Sequence, residues 1–340
     1  MIDVLVAGGG PVGLATALYL HDAGLAVTVA EPRPGPIDKA CGEGLLPAAV
    51  RALAQLGVQP VGRPLRGIGY RDESHQVQAE FRAGSGRGVR RTELHRVLDR
   101  AVQSRGIAIV QAAVGSIEQD ADTVRAAGLQ ARYLVAADGL HSGIRASLDL
   151  GAPAPAKHPK RWGQRRHFCL RPWTDLVEVH WATDAEAYVT PVGDELLGVA
   201  ILSSRQQSFD QQLQSFPELA ERLAGAEGTK VLGAGPLRQH VRRRVAGRVL
   251  LVGDAAGYVD ALTGEGISVG LHSARLLAHC LRQDRPDRYE RAWHSSSRRY
   301  RVLTESLLFA AERPVLRRRI VPIAARAPRL FGAIVNQLSP

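Results

Sequence analysis

The N-terminal residues contain a glycine-rich turn between an apolar run and a helix-like segment. Residues 2–7, IDVLVA, have the composition of a buried strand, and residues 14–24, LATALYLHDAG, carry apolar residues at helical spacing. Gly8, Gly10 and Gly13 complete the pattern G-x-G-x-x-G. The first glycine permits a tight turn, the second admits a pyrophosphate, and the third lets the helix pack on the strand. The pattern predicts a dinucleotide-binding fold with phosphates at the helix N-terminus.

An acidic residue follows where such a fold binds a ribose. Residues 26–30, AVTVA, form a second strand-like run that ends at Glu31. A carboxylate at this strand end accepts hydrogen bonds from the hydroxyls of an adenosine ribose. Strand, helix and acidic residue together predict a dinucleotide site, and they do not distinguish NAD from FAD.

Two later segments also run from an apolar strand into a turn. Residues 131–145, ARYLVAADGLHSGIR, lead into Asp138, and residues 247–278 lead into Asp254 and then into a glycine-rich turn that opens a helix. The Asp254 carboxylate can accept hydrogen bonds from the ribityl hydroxyls of a flavin. Amides at 264–267 can polarise the pyrimidine end of its ring, because they lie at a helix start.

These motifs, in this order, resemble those of the FAD-dependent p-hydroxybenzoate hydroxylase and geranylgeranyl reductase group. The resemblance extends to about residue 300. Residues 138–145 match the family's D-G-x-x-S-x-x-R, residues 253–266 match its G-D-A-A and following G-x-G, and Arg91 is the arginine of its R-x-x-L-x-x-x-L helix. The resemblance implies FAD as the cofactor and NADPH or NADH as a transient donor, since no second dinucleotide motif is complete.

The same resemblance implies a set of cofactor contacts. We predict that FAD is bound by Gly8, Gly10, Val12, Gly13, Glu31, Arg33, Cys41, Gly42, Arg91, Val114, Asp138, Asp254, Gly264, Gly266 and Ile267. No metal is expected, because none of the 11 histidines has metal-ligand spacing with a second ligand nearby.

The predicted fold class is α/β with a Rossmann-like FAD-binding domain and an inserted antiparallel β-sheet substrate domain. The FAD-binding domain is discontinuous, over 1–150 and 240–285. The insert, 151–240, has strand-like runs such as LVEVHWA and ELLGVAIL, and residues 70–90 are candidates to join it. Residues 286–340 are predicted to form a basic helical C-terminal segment.

The net charge of +11 favours anionic partners. An anionic cofactor or lipid is preferred to nucleic acid, because the arginines are scattered and no nucleic-acid motif is present. The run Arg317-Arg318-Arg319 lies in a C-terminal stretch that prolines divide into short pieces. A solvated basic helix capping the FAD domain is the preferred interpretation, and peripheral contact with an anionic membrane is the alternative.

Catalytic candidates lie in residues 39–45, KACGEGL, which resemble the reductase branch's C-G-G turn with Glu43 in place of the second glycine. Cys41 would shield the flavin or tune substrate access. Glu43 would act as a general acid or base if burial raised its pKa. The alternative is a glycine turn with a small buried cysteine and an exposed glutamate.

Two enzyme functions are compatible with these motifs. The leading one is a monooxygenase that uses NAD(P)H and O2 to hydroxylate an aromatic, phenolic or polyketide-like substrate through a flavin C4a-hydroperoxide. The rival is a reductase of isoprenoid double bonds. Its Y-x-W-x-F-P strand is only partly matched, because Tyr188 takes the tryptophan position while Glu186 and Thr190 replace the other aromatics. A flavin- or lipid-binding protein without catalysis is a third possibility.

The compartment is inferred from three widely separated cysteines, which form no disulfide framework and favour a reducing cytoplasm. No run of about 20 apolar residues predicts a transmembrane helix. A cytoplasmic protein, free or peripheral to the membrane, is expected, and its oligomeric state is left open.

Overall fold

The computed structural model describes residues 2–153 and 159–338. Residues 1, 154–158 and 339–340, which belong to the predicted FAD-binding domain, insert and C-terminal segment, lie outside the described residues. Its strands are β1 (Ile2–Ala7), β2 (Val27–Ala30), β3 (Gly44–Leu45), β4 (Arg63–Leu65), β5 (Gly67–Arg71), β6 (Gln76–Glu80), β7 (Gly86–Gly88), β8 (Ala108–Val110), β9 (Ile117–Gln119), β10 (Val124–Ala126), β11 (Leu129–Ala136), β12 (Gly151–Ala152), β13 (Trp162–Phe168), β14 (Leu176–Trp181), β15 (Ala185–Gly193), β16 (Leu196–Ser203), β17 (Leu232–Ala234), β18 (His240–Val241), β19 (Val245–Ala246) and β20 (Val249–Leu251). Its helices are α1 (Pro11–Asp22), α2 (Pro47–Gln55), α3 (Arg91–Ser104), α4 (Gly143–Ser147), α5 (Phe209–Leu213), α6 (Pro217–Leu223), α7 (Gly266–Arg282), α8 (Asp287–Ala311), α9 (Pro314–Arg317), α10 (Ile320–Arg326) and α11 (Pro328–Leu338).

The first sheet has a parallel centre. β1 pairs in parallel with β2 and β11, β2 pairs with β8, and β11 pairs with β20. The antiparallel strands β9, β10 and β19 extend it to eight strands. Residues 4–7 of β1 are buried on both faces, as is typical of a sheet covered by helices, and α1, α3 and α7 share its core. This arrangement confirms the predicted α/β class with a Rossmann-like domain.

The second sheet has seven strands in the order β17-β13-β16-β15-β14-β5-β6. All but β5 and β6 come from the predicted insert, and these two come from residues 67–80. The sheet departs from the antiparallel prediction at one place, because β14 and β5 pair in parallel. Strands so far apart in sequence leave no local signal of their pairing.

Alternate residues of the second sheet belong to two different cores. Val189 and Ile201 pack with Phe209 of α5 and Leu219 of α6. Tyr188 and its neighbours on the opposite face pack in another core that includes the C-terminal helices. A third sheet has three strands in the order β3-β7-β4, and residues 86–88 form its central strand.

The C-terminal segment contacts both large sheets rather than only the FAD-binding domain. Tyr289 near the start of α8 is in the first core, and its hydroxyl donates to the carbonyl of Leu251 at 3.0 Å. The end of α8, together with Val321 of α10 and Phe331 of α11, packs in the second core. Within the described residues, no helix combines the length and apolarity needed to cross a membrane.

The preferred interpretation of Arg317 as part of a solvated basic helix is wrong. This side chain is buried, and its Nη1 lies 2.7 Å from Oε1 of Glu186. Arg161 pairs with the other oxygen of Glu186 at 2.7 Å and with Asp260 at 3.1 Å. Four charges from β15, α9 and two loops therefore form one buried ionic cluster, which connects the C-terminal helices to the second sheet.

Candidate functional site

Two glycines of the G-x-G-x-x-G motif, Gly8 and Gly13, are packed too closely to carry side chains. Gly8 has φ +110°, and a Cβ on it would lie 2.5 Å from the carbonyl oxygen of Ala137. A Cβ on Gly13 would lie 1.9 Å from the carbonyl oxygen of Gly8. Gly10 caps α1 without a side-chain hydrogen bond, and the first turn of α1 borders a large cavity. Amides at a helix start without a side-chain cap suit an anionic ligand.

Glu31, at the end of β2, is buried beside this turn. Its Oε2 accepts a hydrogen bond from the amide of Gly9 at 2.8 Å, and its Oε1 accepts one from Nε of Arg33 at 2.7 Å. Burial acts to raise the pKa of Glu31, but these donors outweigh it and the pKa is lowered. Glu31 itself does not border the cavity, whereas Arg33 does.

Arg91 begins α3 and extends toward the turn, with Nη2 3.9 Å from the position of a Cβ on Gly10. Its Nε is buried and makes no hydrogen bond with the protein. Asp138, after β11, accepts the amide of Ile144 on Oδ2 at 3.2 Å, while its Oδ1 is buried and has no protein partner. These two buried polar atoms need partners from outside the chain.

Asp254, after β20, borders the same cavity. Burial raises its pKa, and the nearby charges of Arg91, Lys39 and Arg145 oppose the rise. Arg145 does not border the cavity. It donates to the carbonyl of Ala255 at 3.1 Å, so it holds the D-G-x-x-S-x-x-R motif against the G-D-A-A motif.

The G-D-A-A motif is followed by the glycine-rich turn that begins α7. Gly264 has φ +67°, and a Cβ on it would meet no protein atom within 4 Å. Gly264, Gly266 and Ile267 border the cavity. Glu265 does not border the cavity, and its burial raises its pKa to about 8 against the opposing effects of Thr263 and Arg299.

The segment 41–43 also borders the cavity. The sulfur of Cys41 accepts a 3.4 Å hydrogen bond from the amide of Glu43. Glu43 has φ +59° and is only 3% exposed, so the alternative of an exposed glutamate is wrong. Its Oε1 accepts the amide of Arg91 at 2.8 Å. Thr190 donates to the carbonyl of Gly42 at 2.9 Å and fixes this segment against β15.

The sequence analysis missed His167, which lies behind Glu43. Its Nε2 is 2.6 Å from Oε2 of Glu43, and its Nδ1 is 3.0 Å from Nη1 of Arg165. A guanidinium can only donate, so Nδ1 accepts and the ring hydrogen is assigned to Nε2, which donates to Glu43. Arg165 is held in turn by Asp38. The available signal was two polar residues, 165 and 167, on one face of a strand-like run.

The cavity has a volume of about 1070 Å³. Its floor is formed by the three motifs and residues 39–44, and its walls are predominantly apolar. Apolar wall residues include Ile68, Val177, Val179, Leu202, Leu307 and Phe331. Tyr188 spans wall and floor, because its hydroxyl donates to the carbonyl of Leu262 at 2.7 Å.

The structure brings most of the predicted site residues to one cavity. Those that border it are Gly8, Gly10, Val12, Arg33, Cys41, Gly42, Glu43, Arg91, Asp138, Asp254, Gly264, Gly266 and Ile267. Three predicted contacts do not border it. Gly13 packs against Gly8, Glu31 lies behind Arg33, and Val114 is partly buried against the first core.

The floor fits FAD. A helix start without a side-chain cap beside Arg91 suits the pyrophosphate, and the free acceptor of Asp138 and the carboxylate of Asp254 suit hydroxyl donors. Glycines at 42 and 264 leave open space where side chains would otherwise project. Among residues 2–153 and 159–338, no cluster of three or more His, Cys, Asp or Glu is arranged to hold a metal ion.

A Rossmann-like sheet that brings these three motifs to one cavity defines a flavin-binding protein. The chain belongs to the FAD-binding domain family, whose model matches residues 1–289. It is a member of the p-hydroxybenzoate hydroxylase and geranylgeranyl reductase group of FAD-dependent oxidoreductases.

Curated relatives match most of the chain. Menaquinone reductase of Mycobacterium tuberculosis is 27% identical over 82% of this chain and 76% of that protein. Digeranylgeranylglycerophospholipid reductase 1 of Methanopyrus kandleri is 25% identical over 81% of this chain and 78% of that protein. Among solved structures, the flavin-dependent halogenase CmlS covers 99% of this chain and 71% of its own, with a TM-score of 0.82 and 21% identity. This last likeness shows the shared fold.

Proposed function

We propose that this chain is an FAD-dependent reductase that adds two hydrogens across a double bond of an isoprenoid lipid. The apolar wall of the cavity carries the proposal, because the free energy falls when an aliphatic chain displaces water from an apolar surface. Relatives named for menaquinone and for digeranylgeranylglycerophospholipid reduction support the same substrate class.

This proposal reverses the order favoured by the sequence. The reductase was disfavoured there because Glu186 and Thr190 replace aromatic residues. In the structure, Glu186 belongs to the buried ionic cluster and does not border the cavity. Thr190 holds Gly42 through its hydroxyl. Apolar side chains from the other strands and from the C-terminal helices supply the wall instead.

The reaction needs a hydride for one carbon and a proton for the other. The bound FAD, reduced by NADPH or NADH, would supply the hydride. We assign the proton to the thiol of Cys41, which borders the cavity. The amide of Glu43 donates to this sulfur and stabilises the negative charge that remains until water returns a proton. His167 and Arg165 act as positioning residues, because they fix the side chain of Glu43.

The test is anaerobic incubation with a reductant and a polyprenyl quinone or geranylgeranyl lipid. A product that gains two hydrogens per double bond supports the reductase. Cys41→Ser should lower kcat by about a hundredfold, with KM and FAD content unchanged, since the hydroxyl is a weaker acid. Cys169→Ser, at an exposed cysteine, is the matched control and should keep wild-type rates. Wild-type kcat in Cys41→Ser would remove the thiol from the reaction.

One observation favours the monooxygenase as a second candidate. Glu43 borders the cavity and is held as a hydrogen-bond acceptor, which suits removal of the proton of a phenolic hydroxyl. Phenol-dependent O2 uptake, matched to NAD(P)H oxidation and hydroxylated product, would support it. An unchanged pH–rate profile in Glu43→Gln would remove Glu43 from this role. Stimulation of NAD(P)H oxidation by neither substrate class would contradict both enzymes and leave a binding protein.

A further inference from the structure

The C-terminal helices expose an unusual number of large apolar side chains. We call the following residues the apolar patch: Phe309, Val315, Leu316, Ile323, Leu330 and Ile334. Val315 is 70% exposed and Leu330 is 59% exposed. Scattered apolar residues are normal on a surface, whereas a concentration within one short segment marks an interaction site.

From Arg313 onward, the same segment carries only basic side-chain charges. Residues 313–340 contain six arginines and no aspartate or glutamate. Five of these arginines are exposed: Arg313, Arg318, Arg319, Arg326 and Arg329. The sixth, Arg317, is turned inward to Glu186, and this buried pair holds α9 so that Val315, Leu316 and the next two arginines remain outside.

The apolar patch continues into the cavity. Ile323, Leu330 and Ile334 are exposed and also border the cavity, so they form its rim. Behind them, Phe331 and Leu307 belong to the wall. An apolar surface therefore runs from the outside of the C-terminal helices to the interior of the cavity.

We propose that the apolar patch and its five exposed arginines dock this protein on an anionic lipid bilayer, with the rim of the cavity facing the membrane. Short helices that combine apolar side chains with arginines suit the interface, because the apolar groups enter the acyl region while the guanidinium groups reach the headgroups. A second copy of the chain is a poorer occupant, since a symmetric contact through residues 313–329 would oppose arginines with arginines, and this stretch provides no carboxylates.

Docking itself does not depend on which reaction occurs. If the proposed isoprenoid substrate is correct, which is a separate assumption, the rim lets it pass from the bilayer into the cavity without crossing water. The test therefore measures binding rather than turnover. The full chain, loaded with FAD, is sedimented with vesicles of phosphatidylcholine alone and of phosphatidylcholine with an equal part of phosphatidylglycerol.

Three variants separate the contributions. Phe309→Ser with Val315→Ser removes apolar contact, and Arg318→Glu with Arg319→Glu reverses charge; none of these four residues borders the cavity. Each pair should weaken binding to the anionic vesicles by about tenfold or more, the charge pair more strongly at low salt. Val61→Ser, at a side chain that is 76% exposed before β4, is the control and should bind like wild type.

Melting temperature and FAD content, unchanged in each variant, show that the fold is intact. Binding to the anionic vesicles that salt and both variant pairs weaken supports the proposal. Wild-type chain that stays in the supernatant, or binding that neither pair alters, overturns it. Light scattering gives the third outcome: a dimer that Phe309→Ser with Val315→Ser dissociates, without vesicle binding, assigns the patch to self-association and also overturns it.

Discussion

The floor and the walls of the cavity are built by different means. In the floor, main-chain amides, glycines and a few carboxylates meet at strand ends, and their positions follow from tight turns such as the one at Gly8. In the walls, side chains from the second sheet and the C-terminal helices meet, and buried charges such as Arg317 and Glu186 hold them together. A floor of this kind is fixed by local geometry, whereas such walls depend on pairs of residues far apart in sequence.

Relatives that share this cofactor fold carry different names, among them menaquinone reductase and a flavin-dependent halogenase. The floor determines that FAD binds. In the functions proposed above, the apolar walls and Glu43, which His167 holds, determine what else enters the cavity and which proton moves. Predictions that treat floor and walls separately therefore test the comparison directly.

The largest effect is expected at the closest contact of the floor. Gly13→Ala places a Cβ 1.9 Å from the carbonyl oxygen of Gly8, a clash that α1 relieves only by moving away from β1. We expect a loss of about 4 kcal/mol in the free energy of unfolding, together with loss of bound FAD. Gly332→Ala, in α11 with no protein atom within 4 Å of its Cβ, should be neutral or slightly stabilising. Chemical denaturation measures both.

The next effect is expected in the walls. Arg317→Met leaves Glu186 buried with one partner fewer, and we expect a loss of about 3 kcal/mol. Arg318→Met, at the exposed neighbour, should change stability by about 0.5 kcal/mol or less. FAD affinity should be nearly unchanged in Arg317→Met, because the floor is separate. Equal losses in the two variants would show that Arg317 is not held by Glu186.

A smaller change should weaken the floor without unfolding it. Asp254→Ala removes a carboxylate that borders the cavity, and the dissociation constant of FAD should rise about tenfold to a hundredfold. Asp122→Ala, at a side chain that is 91% exposed, is the control. Fluorescence titration of apoprotein with FAD measures both constants. Full FAD affinity in Asp254→Ala would withdraw Asp254 from the cofactor site.

A separate effect concerns pH. The pKa of Glu265 is about 8 in the folded chain and near the ordinary glutamate value when unfolded. The folded state therefore holds a proton that the unfolded state releases, and stability falls as pH rises from about 4.5 to about 8. Glu265→Gln should remove this fall, so its melting temperature should exceed that of wild type at pH above about 8 and not at pH near 5. Glu305→Gln, at an exposed glutamate of α8, should retain the wild-type slope.

A similar direction holds for Asp260 in the ionic cluster. Burial raises its pKa to about 6, although Arg161 opposes this. The contribution of Asp260 therefore also declines with rising pH, over a lower range than that of Glu265. Because the two pH ranges differ, one series of stability measurements against pH distinguishes the contribution of Glu265 near the floor from that of Asp260 in the wall.

The sequence by itself determined the α/β class, the βαβ glycine turn and most of the cofactor floor. It did so because each motif is local: Gly8, Gly13 and the strand and helix around them lie within two dozen residues. The order of the three motifs then identified FAD.

Only the tertiary structure decided the walls and the setting of Glu43. The partners of Glu43 lie on β13 and α3, and the acidic partner of Arg317 lies on β15. Strand β5 joins β14 across more than a hundred residues. The sequence pattern of residues 313–335 is equally compatible with solvated and buried arginines, because a charge is buried only where a distant opposite charge meets it. Local periodicity contains no information about which distant charge that is, so Arg317 and His167 became interpretable only when the chain was folded.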